Sequence, residues 1–144
     1  MELKKLPQIK IWIDEQAHFK NIKAFKGKFV VTQKGKFFAK LFPKNEFDGS
    51  IFFHNMILEE MGIKNAEAPV VKKEIQGGGK IEVGLVNGYA EVKLYGKSTI
   101  YGRYNPDLLD INGIEEKVRV VFELMDLPIL VVPDFETWLS KKIV

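Results

Sequence analysis

The sequence predicts a single α+β domain, in which one mixed, mostly antiparallel β-sheet carries helices packed on its faces. Three observations lead there. Ile9, Ile11 and Ile13 share one face of residues 8–13 while Gln8, Lys10 and Trp12 share the other, the period of a half-buried strand. Lys34-Gly35 and Asn87-Gly88 are two-residue turns of the kind that close tight hairpins, where glycine supplies a positive φ. Two stretches, residues 51–61 and 113–125, space their apolar side chains by three and four, as helices lying on a sheet do. Helices interspersed with hairpins favour a mixed sheet over a strictly parallel, doubly wound one.

Taken in order, residues 8–13 form the first strand. Residues 14–26 are polar and lysine-spaced, with Phe19, Ile22 and Phe25 at near-helical intervals, and read as a short helix or an irregular crossing. Residues 28–33 and 36–42, rich in β-branched and aromatic side chains, make a hairpin about Lys34-Gly35. A loop over 43–49 leads to a helix that Asp48 or Ser50 could cap and Gly62 stops. Residues 68–76 and 80–86 are strand-like and flank Gly77-Gly78-Gly79, a glycine turn on this reading. Asn87-Gly88 then leads into a strand over 89–95, and residues 95–104 form a loop ended by Asn105-Pro106. Residues 113–125 give the clearest helix, with Ile114, Val118, Val121, Phe122 and Met125 on one face. A buried-type strand over 128–133 and a terminal helix headed by Asp134 complete the chain.

The 144 residues suffice for one buried core, and neither repeat, low-complexity tract nor interdomain linker divides residues 1–144. No apolar run is long enough to span a bilayer, and the N-terminus carries no signal-like segment, so no membrane association and a cytoplasmic address are expected. Without cysteine there is no disulfide, thiol nucleophile or thiolate metal site. Two distant histidines and no clustered ligand motif give no metal site and no cofactor. The net charge of +3 does not call for nucleic acid, and only Arg103 and Arg119 among 22 cations are arginine, which disfavours recognition by bidentate arginine clamps. A chain rich in lysine and glutamate and free of cysteine hints at a thermophilic source.

Three short segments hold the groups able to do chemistry. His54 follows Phe52-Phe53 in the first turn of the helix over 51–61, where the helix dipole disfavours the imidazolium and attracts anions. A neutral imidazole there can accept a proton from water or attack phosphorus directly; the competing reading is a structural histidine. His18 lies in a lysine-rich stretch and reads as surface. Gly77-Gly78-Gly79-Lys80 is either a plain turn or a small nest of backbone amides beside a cation. It is not a nucleotide-binding P-loop, because a strand follows and no Ser or Thr succeeds the lysine. Lys97-Ser98-Thr99, between two Tyr-Gly pairs, offers hydroxyls and amides to phosphate oxygens, or simply ordinary turn chemistry.

The ordered set resembles the Janus/Ocnus family, which includes the phosphohistidine phosphatases. The resemblance rests on an aromatic pair before a histidine at a helix start, then Gly-Gly-Gly-cation, a strand, and Tyr-Gly-x-Ser-x-x-Tyr-Gly at residues 95–102. It covers roughly residues 50–135 and implies metal-independent hydrolysis of the P–N bond of phosphohistidine in proteins, with phosphate or sulfate bound at the site. By resemblance His54 is the catalytic base or nucleophile. Gly77, Gly78 and Gly79 fall on the family's glycine loop, and Lys80 stands where the family has arginine. Ser98, with Thr99 beside it, matches the family's phosphate-contacting serine, Ile100 falls on a contributing backbone amide, Lys28 on an early-strand lysine and Lys40 on an upstream arginine. Phe53 replaces a tyrosine. If His54 acts as a neutral base, the rate should rise with pH through a value near or below about 6.5. The alternative is a non-catalytic domain of the same fold that binds phosphoprotein or single-stranded nucleic acid through lysines and exposed aromatics. A third reading keeps the phosphatase fold without its activity, because of Lys80 and Phe53.

Overall fold

A computed structural model describes residues 2–15 and 23–143, so His18, Phe19 and Ile22 lie outside the described residues. A six-stranded mixed sheet runs through the domain: β1 (Ile9–Ile13), β2 (Ala24–Thr32), β3 (Phe37–Pro43), β4 (Ile75–Val86), β5 (Tyr89–Tyr95) and β6 (Ile129–Val132). The spatial order is β1-β3-β2-β4-β5-β6. The four central strands are antiparallel, and each edge strand pairs parallel to its neighbour, β1 with β3 and β6 with β5. Helices α1 (His54–Glu60), α2 (Pro69–Lys72), α3 (Ile111–Val121) and α4 (Phe135–Ile143) complete the fold, and no helix of the described residues is long and apolar enough to cross a membrane. This is the α+β domain the sequence predicts.

Alternation along β2 explains the two faces of the sheet. Phe25, Phe29 and Val31 point to one side, where they join Phe37, Ile81, Val92, Tyr104 and the Ile114–Val118 face of α3 in the larger core. Phe29 stacks on Phe37 at 5.1 Å and meets Tyr104 edge-on at 5.0 Å, geometries that favour aromatic pairs. On the other side Val30 and Phe38 pack under Ile57 and Leu58 of α1 and under Phe52, Leu3 and Leu6. That apolar layer stops before Lys26 and Lys28, the residues of β2 that precede Val30 on the same face, where Gly49 and Phe53 border Lys28 instead. This part of the sheet is the floor of a cleft.

Both hairpin turns form as expected, with φ of +85° at Gly35 and +81° at Gly88. Four boundaries differ from the sequence reading. β2 begins at Ala24, so residues 24–26 of the expected crossing are strand, and Phe25 belongs to the core. The expected strand over 68–76 gives way to α2, because Pro69 occupies the first helical position, where its missing N–H costs nothing. The helix expected from Ile51 starts only at His54. Asp48 instead closes a tight turn, accepting from the backbone N–H and hydroxyl of Ser50 at 2.9 and 2.6 Å. α3 starts two residues before Gly113, capped by the Asp110 carboxylate on the Gly113 N–H at 3.0 Å, and ends at Val121.

The largest correction concerns the three glycines. Gly77, Gly78 and Gly79 are not a turn but the first half of an unbroken twelve-residue β4, paired with Val31, Val30 and Phe29. Glycine suits a strand interior where another backbone or side chain must come close. A Cβ on Gly77 would lie 2.3 Å from the Arg103 carbonyl oxygen, and one on Gly78 would lie 2.6 Å from the Phe29 carbonyl oxygen and 2.9 Å from Cδ2 of His54. The composition that reads as flexibility in the sequence is a closely packed crossing in the fold.

Candidate functional site

Two strands and the segments that cross above them bound a cleft of about 780 Å³. Its floor is Lys26 and Lys28 of β2 with Lys80 of β4. Phe47, Asp48 and Gly49 form one wall, and Phe53 and His54 the head. Lys97, Thr99 and Ile100 of the loop after β5 lie opposite, with Arg103 and Glu136 beyond. Register explains the lysines: Lys28 faces Lys40 on one side and Lys80 on the other, so the same lateral row carries three ammonium-bearing side chains.

The three lysines of that row have different fates. The Lys40 ammonium is buried and held by Glu60 at 2.8 Å and Asp14 at 3.0 Å. Burial opposes its charge, but these bonds and the two carboxylate charges outweigh it and raise its pKa. It does not line the cleft, so the structure separates Lys40 from the other candidate anion ligands. Lys28 is equally buried, and its Nζ donates to the Gly49 carbonyl at 3.0 Å. Burial, and then the neighbouring Lys80 charge, lower its pKa. Lys80 is half-buried and makes no ion pair among the described residues. Two cations side by side over one floor without a carboxylate between them favour an anion.

His54 is 4% exposed. Its Nε2 lies 2.9 Å from the Gly79 carbonyl oxygen, which can only accept, so Nε2 carries the proton of the neutral ring. Nδ1 then holds the lone pair. It makes no hydrogen bond among the described residues and is not sealed from solvent, and the residue lines the cleft. The imidazole pKa is pulled down to about 4, first by burial, with the Lys28 and Lys80 charges adding to it against the Gly79 hydrogen bond. Burial and the two lysine charges act in the same direction as the helix dipole expected from the sequence, at the first residue of the seven-residue α1.

That shift fixes a pH dependence of stability. The unfolded chain protonates His54 near pH 6.5, whereas the folded chain holds it neutral down to about 4. The contribution is therefore complete above about pH 6.5 and is lost as pH falls toward 4. Between pH 7 and pH 5 the wild type should lose ~2 kcal/mol more stability than His54→Asn, measured by chemical denaturation at both pH values. Equal slopes for the two proteins would show that the ring titrates normally.

The remaining candidates divide. Thr99 and Ile100 line the cleft, but Ser98 does not. Ser98 is 2% exposed, and its Oγ accepts the backbone N–H groups of Ile100 at 3.2 Å and Tyr101 at 3.0 Å. Its own backbone exchanges two hydrogen bonds with Gly102, closing the loop into a small ring. Ser98 thus shapes the loop that brings Thr99 to the cleft, and the Ile100 amide is engaged inside that loop. None of Gly77, Gly78 or Gly79 lines the cleft; Gly79 takes part through the carbonyl that orients His54, and Gly78 through the room it leaves for the ring.

Sequence reasoning missed Lys26, Phe47, Arg103 and Glu136. Lys26 could have been found, because it shares its strand face with Lys28 two residues on. Arg103 could not: it donates to Gly96 O at 2.6 Å, to Glu136 at 3.0 Å and to Asp134 at 2.9 Å, tying the loop after β5 to α4 across some thirty residues of sequence. Its charge is matched by those carboxylates, which leaves the positive field of the cleft to its lysines. Among the described residues no three His, Asp or Glu side chains converge as a bound metal would need. No protein-family model matches this chain, and no curated protein matches it.

Proposed function

We propose that this chain is a protein phosphohistidine phosphatase that hydrolyses the P–N bond without a metal, with His54 as general base or nucleophile. The observation that carries the reading is the orientation of His54. A neutral ring, fixed through Nε2–H to Gly79 O, keeps its lone pair on Nδ1, in a residue that lines a cleft where Lys28 and Lys80 have no ion-pair partner among the described residues. The residue pattern over 95–102, which resembles the Janus/Ocnus family, supports the same reading.

In this reading the phosphoryl oxygens rest on the Lys28 and Lys80 ammonium groups, with the Thr99 hydroxyl as a further donor. Positioning and charge stabilisation then supply most of what phosphoryl transfer needs. As a base, Nδ1 takes a proton from a water whose oxygen forms the new P–O bond while the P–N bond breaks. As a nucleophile, Nδ1 forms a P–N bond of its own, which water cleaves in a second step. In both versions the substrate ring carries a proton on its other nitrogen when the P–N bond breaks, so it departs as a neutral imidazole with the former P–N pair as a lone pair and takes no proton from the protein. That requirement separates phosphoramidates from phosphate esters, whose alkoxide leaving group would need an acid. Among the described residues no carboxylic acid with a raised pKa faces His54 to provide one.

The test is phosphate release from a phosphohistidine peptide in EDTA, beside the same peptide carrying phosphoserine. Release from the first and none from the second is expected. Release that stops in EDTA, or equal release from both peptides, would refute the proposal. Tight binding without turnover would assign the cleft to a non-catalytic phosphoprotein reader.

A further inference from the structure

Phe53 is 49% exposed, yet its ring lines the cleft immediately before His54. The Nζ of Lys28 lies 5.7 Å from the ring centroid, and no other aromatic ring of the described residues packs against it. Phe47, the other ring on the cleft wall, differs: it packs against Phe42 at 5.8 Å and under Gly49, and so has a structural task. An apolar ring left in water at the mouth of a cationic cleft asks for a partner.

Resting on the phosphatase reading, we infer that Phe53 is a specificity-determining residue that stacks on the imidazole of the phosphohistidine substrate. The geometry follows from Lys28. A phosphoryl group held by Lys28 Nζ has its substrate ring only one P–N bond away. Because Lys28 Nζ lies 5.7 Å from the Phe53 centroid, a ring one bond beyond that phosphoryl group can be set against the exposed side of Phe53 at the ~4.5–7 Å separation over which aromatic pairs attract. Phospholysine presents a flexible alkyl chain at the same place and gains no such contact. The site therefore selects phosphohistidine over other phosphoramidates by ring stacking, while the lysines see the same phosphoryl group in each.

The experiment compares kcat/KM for two peptides of identical sequence, one carrying phosphohistidine and the other phospholysine. The proteins are wild type, Phe53→Leu, Phe53→Tyr and Ile51→Ala. Phe53→Leu keeps apolar bulk and loses the ring, so the phosphohistidine preference should fall by ~2- to 12-fold, the span of an aromatic pair's stabilisation. Phe53→Tyr should keep the preference. Ile51→Ala, at a residue 68% exposed and away from the cleft lining, should keep it too. An unchanged preference in Phe53→Leu, or one lost equally in Phe53→Tyr, overturns the stacking role and leaves the phosphatase reading in place. A wild-type protein inert on both peptides overturns the phosphatase reading, and the stacking role with it.

Discussion

His54→Ala is expected to lower phosphohistidine turnover by ~10²–10⁴-fold, the usual contribution of a positioned general base. The loss should fall on kcat rather than KM. A ring held neutral contributes no cationic charge to phosphate binding, and the lysines that do are unchanged. The same neutrality revises the pH profile expected from sequence. With the imidazole pKa near 4, the rate should be level in His54 from about pH 5 to 8, with any fall confined to more acid solution. Truncation leaves the Gly79 carbonyl without its donor, so His54→Asn is the necessary companion, and thermal melts of both variants establish that the fold survives. Rapid quenching at alkaline pH followed by intact mass separates the two chemical versions: a transient phosphorylated protein identifies the nucleophile, and its absence during turnover identifies the base. Turnover within two-fold of wild type in a folded His54→Ala protein would remove the ring from the mechanism.

Local signals in this sequence read well, and signals that depend on distant partners read poorly. The hairpins were legible because Lys34-Gly35 and Asn87-Gly88 carry their turn chemistry in two adjacent residues. α3 was legible because one apolar stripe must face the sheet. The triple glycine misled for a physical reason: the residue that permits a turn is the same residue that permits close approach. Only the positions of Arg103, Phe29 and His54 in space decide between the two. Lys40 misled similarly, since a basic residue on the correct strand face can serve an anion or answer carboxylates. Glu60 and Asp14 reach it from other segments of the chain. Ser98 is the subtlest case: its loop was located correctly, but the direction in which a hydroxyl points depends on how that loop closes. His54 and Lys80, by contrast, are legible as candidates in their own motifs, Lys28 only through the family resemblance, and the fold adds their adjacency and the tautomer.

Gly78→Ala should damage the sheet and the site together, because among the glycines of β4 it alone has the His54 ring against the place its methyl group would take. Its Cβ would fall 2.6 Å from a backbone oxygen of β2 and 2.9 Å from the His54 ring, closer than a carbon can sit in either direction. The β2 backbone is locked in the centre of the sheet between β3 and β4, so it cannot retreat without breaking its own ladder. The imidazole is the softer neighbour and will be pushed from Gly79 O. Overpacking of this kind costs about 1–3 kcal/mol, which for a domain of this length is a fall of roughly 3–10 °C in Tm. Displacing a reacting group by about 1 Å can also cost on the order of 10² in rate, so turnover should fall further than the unfolded fraction explains. Gly84→Ala is the internal control. It lies further along the same strand, on the same face, with no atom within 4 Å of the place its methyl group would take, and should hold or slightly raise Tm while leaving turnover intact. If Gly78→Ala melts with the wild type and retains full activity, the ring is not wedged against β4, and the hold of Nε2 on Gly79 O loses its structural cause. If Gly84→Ala falls as far as Gly78→Ala, the effect belongs to β-strand propensity and not to the space His54 requires.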